Sequence, residues 1–334
     1  MSVAVVAIGG NSLVRPGHPD SIEEQRANLI TTCDGLAAVI KAGYRVVVTH
    51  GNGPQVGDAL MRSEIAAQQV ETLPLDACVA ETQGTIGYLL EQVLRETLQR
   101  HGISCPAFTM VTQVLVSARD PAFQAPTKPV GRFYTREEAE RCRAELGWHM
   151  VEDARRGFRR VVPSPQPEEI VELRAIQAAL DGGALVIACG GGGIPVIFQN
   201  GELTGVEAVI DKDRVSGLLA RELEADLLLI STGVEQVSLN YRTPQQQPLA
   251  SLTMDEARRY LHEGQFPPGS MGPKIEAALE YLDAGGKLVI ITSPECIPDA
   301  LYGLAGTRIT PDEQASGLRF TASWPLVQTA LEPR

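Results

Sequence analysis

Apolar runs recur along the chain at 3–8, 45–49, 107–111, 184–189, 226–230 and 287–292, rich in Val, Ile, Leu and Ala, and each reads as a strand. Amphipathic segments of helical length lie between most of them. Over 22–42, Leu29, Leu36, Val39 and Ile40 share one face, Ser21 and Glu24 form a capping-box pair, and Gly43 stands at the stop. Segments 168–181 and 274–284 repeat the scheme. Near-continuous Val/Ile/Leu strands alternating with helices predict an α/β fold whose mostly parallel sheet is buried on both faces. In such sheets ligands sit beyond the carboxyl ends of the strands.

One region breaks the rhythm. From 118 to 165 the chain passes Pro121, Pro126 and Pro129, a helix capped by Thr135 and Glu138, and strand-like pieces near 148–151 and 158–162. It closes with Pro163, Pro165 and Pro167, which suggests a small lid projecting from the sheet. Residues 195–210 read as a hairpin about Asn200-Gly201, the favoured two-residue turn. The last 20 or so residues are weakly patterned.

The stretch 205–220 is the pivot. An extended run, Val206-Glu207-Ala208-Val209-Ile210, turns polar at Asp211-Lys212-Asp213 and continues as a helix with Val215, Leu218, Leu219 and Leu223 on one face. Lys212 and Asp213 thus stand at a helix entrance, where free N–H groups and the helix dipole favour an anion. These residues alone fit two readings, an Asp N-cap beside a solvated lysine or an anion site.

Three strand ends carry glycines. Gly9-Gly10-Asn11 follows the first strand and suits phosphate oxygens through free N–H groups and an amide. In His50-Gly51-Asn52-Gly53-Pro54-Gln55-Val56-Gly57, Pro54 fits a first helical turn and the glycines bring backbone close to a small carboxylate. Gly190, Gly191, Gly192 and Gly193 end a third strand, and four glycines in a row exceed what a simple turn needs. Each could be a tight turn, but a parallel sheet gathers all three along one edge. Two more lysines lie beside Gly- or Pro-rich turns, Lys128 inside the lid and Lys274 after Pro268-Gly269-Ser270-Met271-Gly272-Pro273.

Composition narrows the field. A net charge of −12 argues against nucleic acid or an anionic membrane as partner. The six cysteines are scattered without a C-x-x-C, no apolar run nears the ~20 residues of a membrane span, and no basic leader precedes the first strand. A soluble cytoplasmic protein with reduced thiols is expected. The chain has no P-loop, H-E-x-x-H, H-R-D, D-F-G or G-x-S-x-G motif, and 50–57 is not the dinucleotide G-x-G-x-x-G. The five histidines are isolated, so no protein-bound metal is expected.

Val6-Ala7-Ile8-Gly9-Gly10-Asn11-Ser12, 50–57, Gln83-Gly84-Thr85-Ile86-Gly87-Tyr88 and 126–131 resemble the carbamate kinases, as do 159–165, 188–195, 205–213 and 268–274. They occur in family order and span about 3–310. The resemblance implies the amino-acid kinase fold, an open αβα sandwich, in a single domain over 1–334. Residues 1–210, with the 118–165 lid, would form the acid lobe and 211–334 the nucleotide lobe. It implies reversible phosphoryl transfer between ATP and carbamate, giving ADP and carbamoyl phosphate, with Mg²⁺ carried by the nucleotide and a homodimeric protein. It further implies that Lys212 and Lys274 flank the phosphoryl group, that Asp213 orients both, and that Lys128 reaches in from the lid. Gly9, Gly10 and Asn11 would hold phosphoryl oxygens, while Gly51, Asn52, Gly53 and Gly190, Gly191, Gly192 shape the carbamate pocket. The nucleotide would lie along Ser231, Thr232, Gly233, Tyr241, Gly269, Ser270 and Met271. Arg132, Glu235 and Arg242 depart from the family pattern. Two rivals are a paralogue acting on another small acid or a phosphonate and a catalytically silent carbamoyl-phosphate- or nucleotide-binding regulator. A dehydrogenase lacks its glycine fingerprint.

Overall fold

The structure is a computed structural model that describes residues 2–10, 13, 21–152 and 157–312. Its centre is an eight-stranded sheet. In spatial order the strands are Ser251–Thr253, Thr307–Thr310, Val289–Thr292, Leu227–Ser231, Val3–Ile8, Arg45–His50, Leu185–Ile187 and Ala107–Thr109. Every neighbouring pair is parallel except Val289–Thr292 with Thr307–Thr310.

Both faces are covered, as the apolar runs require. Along the first strand Val3, Val5 and Ala7 enter one core with the helices Leu173–Asp181, Lys212–Glu222 and Met271–Asp283. Ala4, Val6 and Ile8 enter the other, with Ile22–Lys41, Leu75–Arg100 and Ile297–Leu301. The alternation is the period-two geometry of a strand between two helical layers. This is an αβα sandwich.

A second sheet, ordered Glu202–Gly205, Ile194–Gln199, Gln113–Val116 and Pro167–Ile170, flanks the main one. The expected hairpin is there, with Asn200 and Gly201 at φ 54° and 87° as a type I′ turn demands. The excursion folds as three strands, ordered Lys128–Tyr134, Phe158–Val162 and Met150–Glu152, with the helix Arg136–Leu146 between the first and last in sequence. Thr135 and Glu138 form the expected capping box.

Three differences from the sequence reading bear on the site. The helix expected over 168–181 is only Leu173–Asp181, because Pro167–Ile170 pairs antiparallel with Gln113–Val116 and Glu172 bonds the Gln113 backbone N–H at 2.7 Å. Tertiary pairing overrides the helix preference of Glu168 and Glu169. Residues 206–210 form no strand: the hairpin ends at Gly205, and Val206 and Val209 donate to the Pro195 and Pro163 carbonyls. The helix expected from 274 starts at Met271, which sets Lys274 within its first turn.

Candidate active site

The chemistry gathers at the carboxyl edge of the main sheet. There Asp211 caps the helix Lys212–Glu222, its Oδ1 accepting the Asp213 N–H at 2.9 Å. Lys212 is the first helical residue, and its Nζ donates to Asp213 Oδ1 at 2.6 Å. Lys274 Nζ, from the neighbouring helix, donates to Asp213 Oδ2 at 2.9 Å. Lys128 Nζ, at the start of the lid strand, donates to Asp211 Oδ2 at 2.8 Å. Of the N-cap reading of 211–213, the cap is found at Asp211, but the solvated lysine is not: the Lys212 side chain is only 14% exposed.

Gly217 lies where the two lysine-bearing helices pack: a Cβ there would be 3.1 Å from the Ala277 carbonyl oxygen, tighter than an ordinary contact. The Ser216 hydroxyl, 2.7 Å from that of Thr49, ties the same helix to the sheet.

Three ammonium groups against two carboxylates leave one uncompensated positive charge, within a chain of net −12. Burial works to raise the Asp213 carboxyl, yet Lys212 and Lys274 overcome it and bring it down to about 2. Burial also lowers the Lys212 ammonium from its ordinary value, against the pull of Asp213. For Asp211, Lys128 and the Asp213 N–H outweigh burial and hold the carboxyl below the usual range. The cluster is a preformed, partly buried group of three ammonium groups held by two carboxylates.

The glycine-rich ends converge on it. A Cβ on Gly51 would lie 3.3 Å from Lys212 Cδ and 3.6 Å from the Gly10 nitrogen, so Gly10, Gly51 and the Lys212 stem are neighbours. Gly9 donates to the Ser231 carbonyl at 3.0 Å, and a Cβ on it would lie 2.8 Å from that oxygen. Gly10 and Gly53 face open space. Asn11 lies outside the described residues. Asn52 precedes the helix Gly53–Ala66, but its buried amide donates to the Thr82 hydroxyl at 2.8 Å rather than capping that helix.

The run 190–193 has a packing reason of its own. A Cβ on Gly190 would fall 2.5 Å from His50 Nε2, one on Gly191 2.2 Å from the Asn52 amide, and one on Gly192 2.2 Å from the Ile210 carbonyl oxygen. Gly191, Gly192 and Gly193 also have positive φ. The backbone therefore folds directly onto the 50–52 turn and, at Ile210, onto the approach to Lys212.

Two residues of the 50–57 motif, His50 and Gln55, carry buried polar atoms without a partner among the described residues. His50 is buried, with Nδ1 at 3.1 Å from the Gly51 carbonyl and Nε2 without a partner among the described residues; burial lowers its pKa to about 4, so it is neutral. Gln55 likewise has both amide atoms buried and without a partner among the described residues.

Beside the lysines lies a cavity of about 590 Å³ lined by Thr232, Gly233, Tyr241, Ser270, Met271 and Lys274, together with Phe266 and Arg242. Its size suits a nucleotide. Lys274 belongs both to the cavity wall and to the Asp213 cluster, so the two adjoin. Ser231 and Gly269 do not line it, and Ser231 is fully buried with an unpartnered hydroxyl among the described residues. Arg242, at φ 62°, has its guanidinium over the Tyr241 ring, 5.4 Å from the centroid. Arg132 is turned away to Glu138 and the Tyr134 ring, while Glu235 is not part of the cavity wall.

Residues 2–293 match the amino acid kinase family. The chain belongs to that family. Within it the resemblance is to carbamate kinases over nearly the whole length. The carbamate kinase-like protein YahI of Escherichia coli is 50% identical over 311 residues, covering 92% of this chain and 98% of that protein. The carbamate kinase of Thermococcus kodakarensis is 46% identical over 313 residues, covering 92% and 99%. Among solved structures, carbamate kinase from Giardia lamblia bound to AMP-PNP superposes with a TM-score of 0.88 at 43% identity, over 93% of this chain and 99% of that one. The amino acid kinase fold expected from the sequence is thus the fold observed, and by kinship this family member is an ATP-dependent kinase.

Proposed function

We propose that this amino acid kinase is a carbamate kinase. It moves a phosphoryl group reversibly between ATP and carbamate, and runs mainly from carbamoyl phosphate and ADP toward ATP. The observation that carries this reading is the Lys212–Asp213–Lys274 cluster at the mouth of a nucleotide-sized cavity. The names of its relatives at 46–50% identity give the acid.

In the ATP-forming direction a β-phosphate oxygen of ADP forms a bond to phosphorus, and the bond from phosphorus to the carbamate oxygen breaks, releasing carbamate anion. No proton need move, so no general base is required. Lys212 and Lys274 neutralise the spreading negative charge from two sides while Asp213 fixes both ammonium groups. A lysine about 4 Å from a phosphoryl oxygen contributes up to ~4 kcal/mol at an effective dielectric near 20. Gly9, Gly10 and Asn11 would offer N–H groups and an amide to phosphoryl oxygens. Gly51, Asn52, Gly53 and 190–192 would bound the carbamate, and Lys128 would approach it from the lid. The nucleotide would lie along Thr232, Gly233, Tyr241 and Gly269–Met271, near Ser231.

Apart from Asn28, the residues lining the cavity come from 232 onward, which supports assigning 211–334 to the nucleotide and 1–210, with the 118–165 lid, to the acid. The carboxylates nearest the reaction, Asp211 and Asp213, are both engaged by lysines, which suits Mg²⁺ arriving on the nucleotide phosphates. Among the described residues no helix is long and apolar enough to cross a membrane, and the six cysteines are free, in keeping with a cytoplasmic protein. A homodimer follows the family resemblance.

A paralogue acting on another small acid is favoured by one observation, the "-like" in the name of the Escherichia coli relative. The glycines of 190–193, which bring backbone directly onto the 50–52 turn, suit a small acid. ATP formation from ADP and Mg²⁺, with carbamoyl phosphate and acetyl phosphate compared, separates the two. Carbamoyl phosphate is expected to give the higher kcat/KM. A preference for the other acyl phosphate contradicts the carbamate assignment, and no ATP from either with normal ADP binding favours the regulator.

A further inference from the structure

The Asp211 carboxylate serves two elements at once. Its Oδ1 accepts the N–H of Asp213 and fixes the start of the helix that carries Lys212 and Asp213. Its Oδ2 takes the ammonium of Lys128, from the first residue of the lid strand, 83 positions away in sequence. The Asp211 side chain is 15% exposed and that of Lys128 is 38% exposed, so the pair sits at the rim of the site, with the carboxylate on its inner side.

A lysine ammonium has three N–H donors. One is used on Asp211, which leaves two for an oxygen-rich ligand at the acid end. Lys212 and Lys274 are held in the same manner by Asp213, two residues on. A single turn of backbone thus sets the positions of all three ammonium groups, through two carboxylates joined by the Asp213 N–H.

We propose that Asp211 is a positioning residue that couples the lid to the catalytic helix, holding Lys128 over the acid end while it caps that helix. This rests on the carbamate kinase reading for its substrate, but the coupling itself is a property of the fold. The ion pair is partly exposed, so its strength is modest and Lys128 keeps freedom to engage the incoming phosphate.

The test separates charge from cap. Asp211→Asn keeps a good N-cap and removes the charge. It should raise KM for carbamoyl phosphate about tenfold, the scale of one charge-assisted hydrogen bond, with a smaller change in kcat. Asp211→Ala should do the same and also lower Tm, because the cap is gone. In Asp211→Asn/Lys128→Ala the KM should equal that of Lys128→Ala alone, since Asp211 acts through Lys128. An Asp211→Asn enzyme with wild-type KM, or effects that multiply in the double variant, overturns the proposal. Hydrogen exchange over 128–134 needs no turnover and should quicken in Asp211→Asn. If the wild-type protein made no ATP from carbamoyl phosphate, the functional reading would fall, while unchanged exchange in the variant would overturn the coupling.

Discussion

Lys212 and Lys274 bind opposite oxygens of one carboxylate, at 2.6 and 2.9 Å from Asp213 Oδ1 and Oδ2. They come from two helices that pack closely where Gly217 faces Ala277. Replacing Asp213 by Asn keeps the shape and removes the shared charge. The expected result is a kcat lower by about 10²–10³, the usual cost of losing a preorganised electrostatic element. ADP affinity, measured by calorimetry, should change far less.

Lys212 must be charged to act, and burial lowers its pKa below the 10.5 of a free lysine. The kcat/KM profile, which reports the unliganded protein, should therefore fall on the alkaline side at a pH below 10.5. Lys212→Arg, whose guanidinium stays charged, should be slower but lose that alkaline limb. A limb unchanged in the variant assigns it elsewhere.

Acid should destabilise the fold in two stages. His50 is held neutral, with its pKa lowered to about 4 from 6.5, so the unfolded chain binds the extra proton in that window and stability falls as pH drops through it. Asp213 is lowered to about 2 from 3.8, so its stabilising contribution, full above 3.8, is lost as pH falls toward 2. Urea unfolding at pH 7 and pH 5 tests the first stage. The difference between the two should shrink in His50→Asn.

Gly192 has φ 93°, and a Cβ on it would fall 2.2 Å from the Ile210 carbonyl oxygen. Gly192→Ala should cost about 3 kcal/mol through overpacking and backbone strain together. A urea midpoint within error of wild type would contradict the packing described for this turn.

How much of this was written in the sequence depends on how local the cause is. The strands 3–8 and 45–49 were readable because apolar runs buried on both faces need no distant partner to be recognised. Lys212 and Asp213 were readable because a polar step before an amphipathic helix marks its entrance. The strand Pro167–Ile170 was not, since Glu168 and Glu169 favour a helix until Gln113–Val116 pairs with that stretch. The bond between Lys128 and Asp211 joins residues 83 apart and has no local signature. The glycines of 190–193 were visible as unusual, but their reason, contact with His50, Asn52 and Ile210, appears only in three dimensions.

The decisive measurement is ATP formation from ADP, Mg²⁺ and carbamoyl phosphate by the wild-type protein and by Lys212→Ala, with ADP binding followed in both. Rapid synthesis by the wild type, reduced at least about a hundredfold in the variant while ADP still binds, is the predicted result. Synthesis that persists in Lys212→Ala at near wild-type kcat would contradict the assignment of the Lys212–Asp213–Lys274 cluster as the phosphoryl-transfer site.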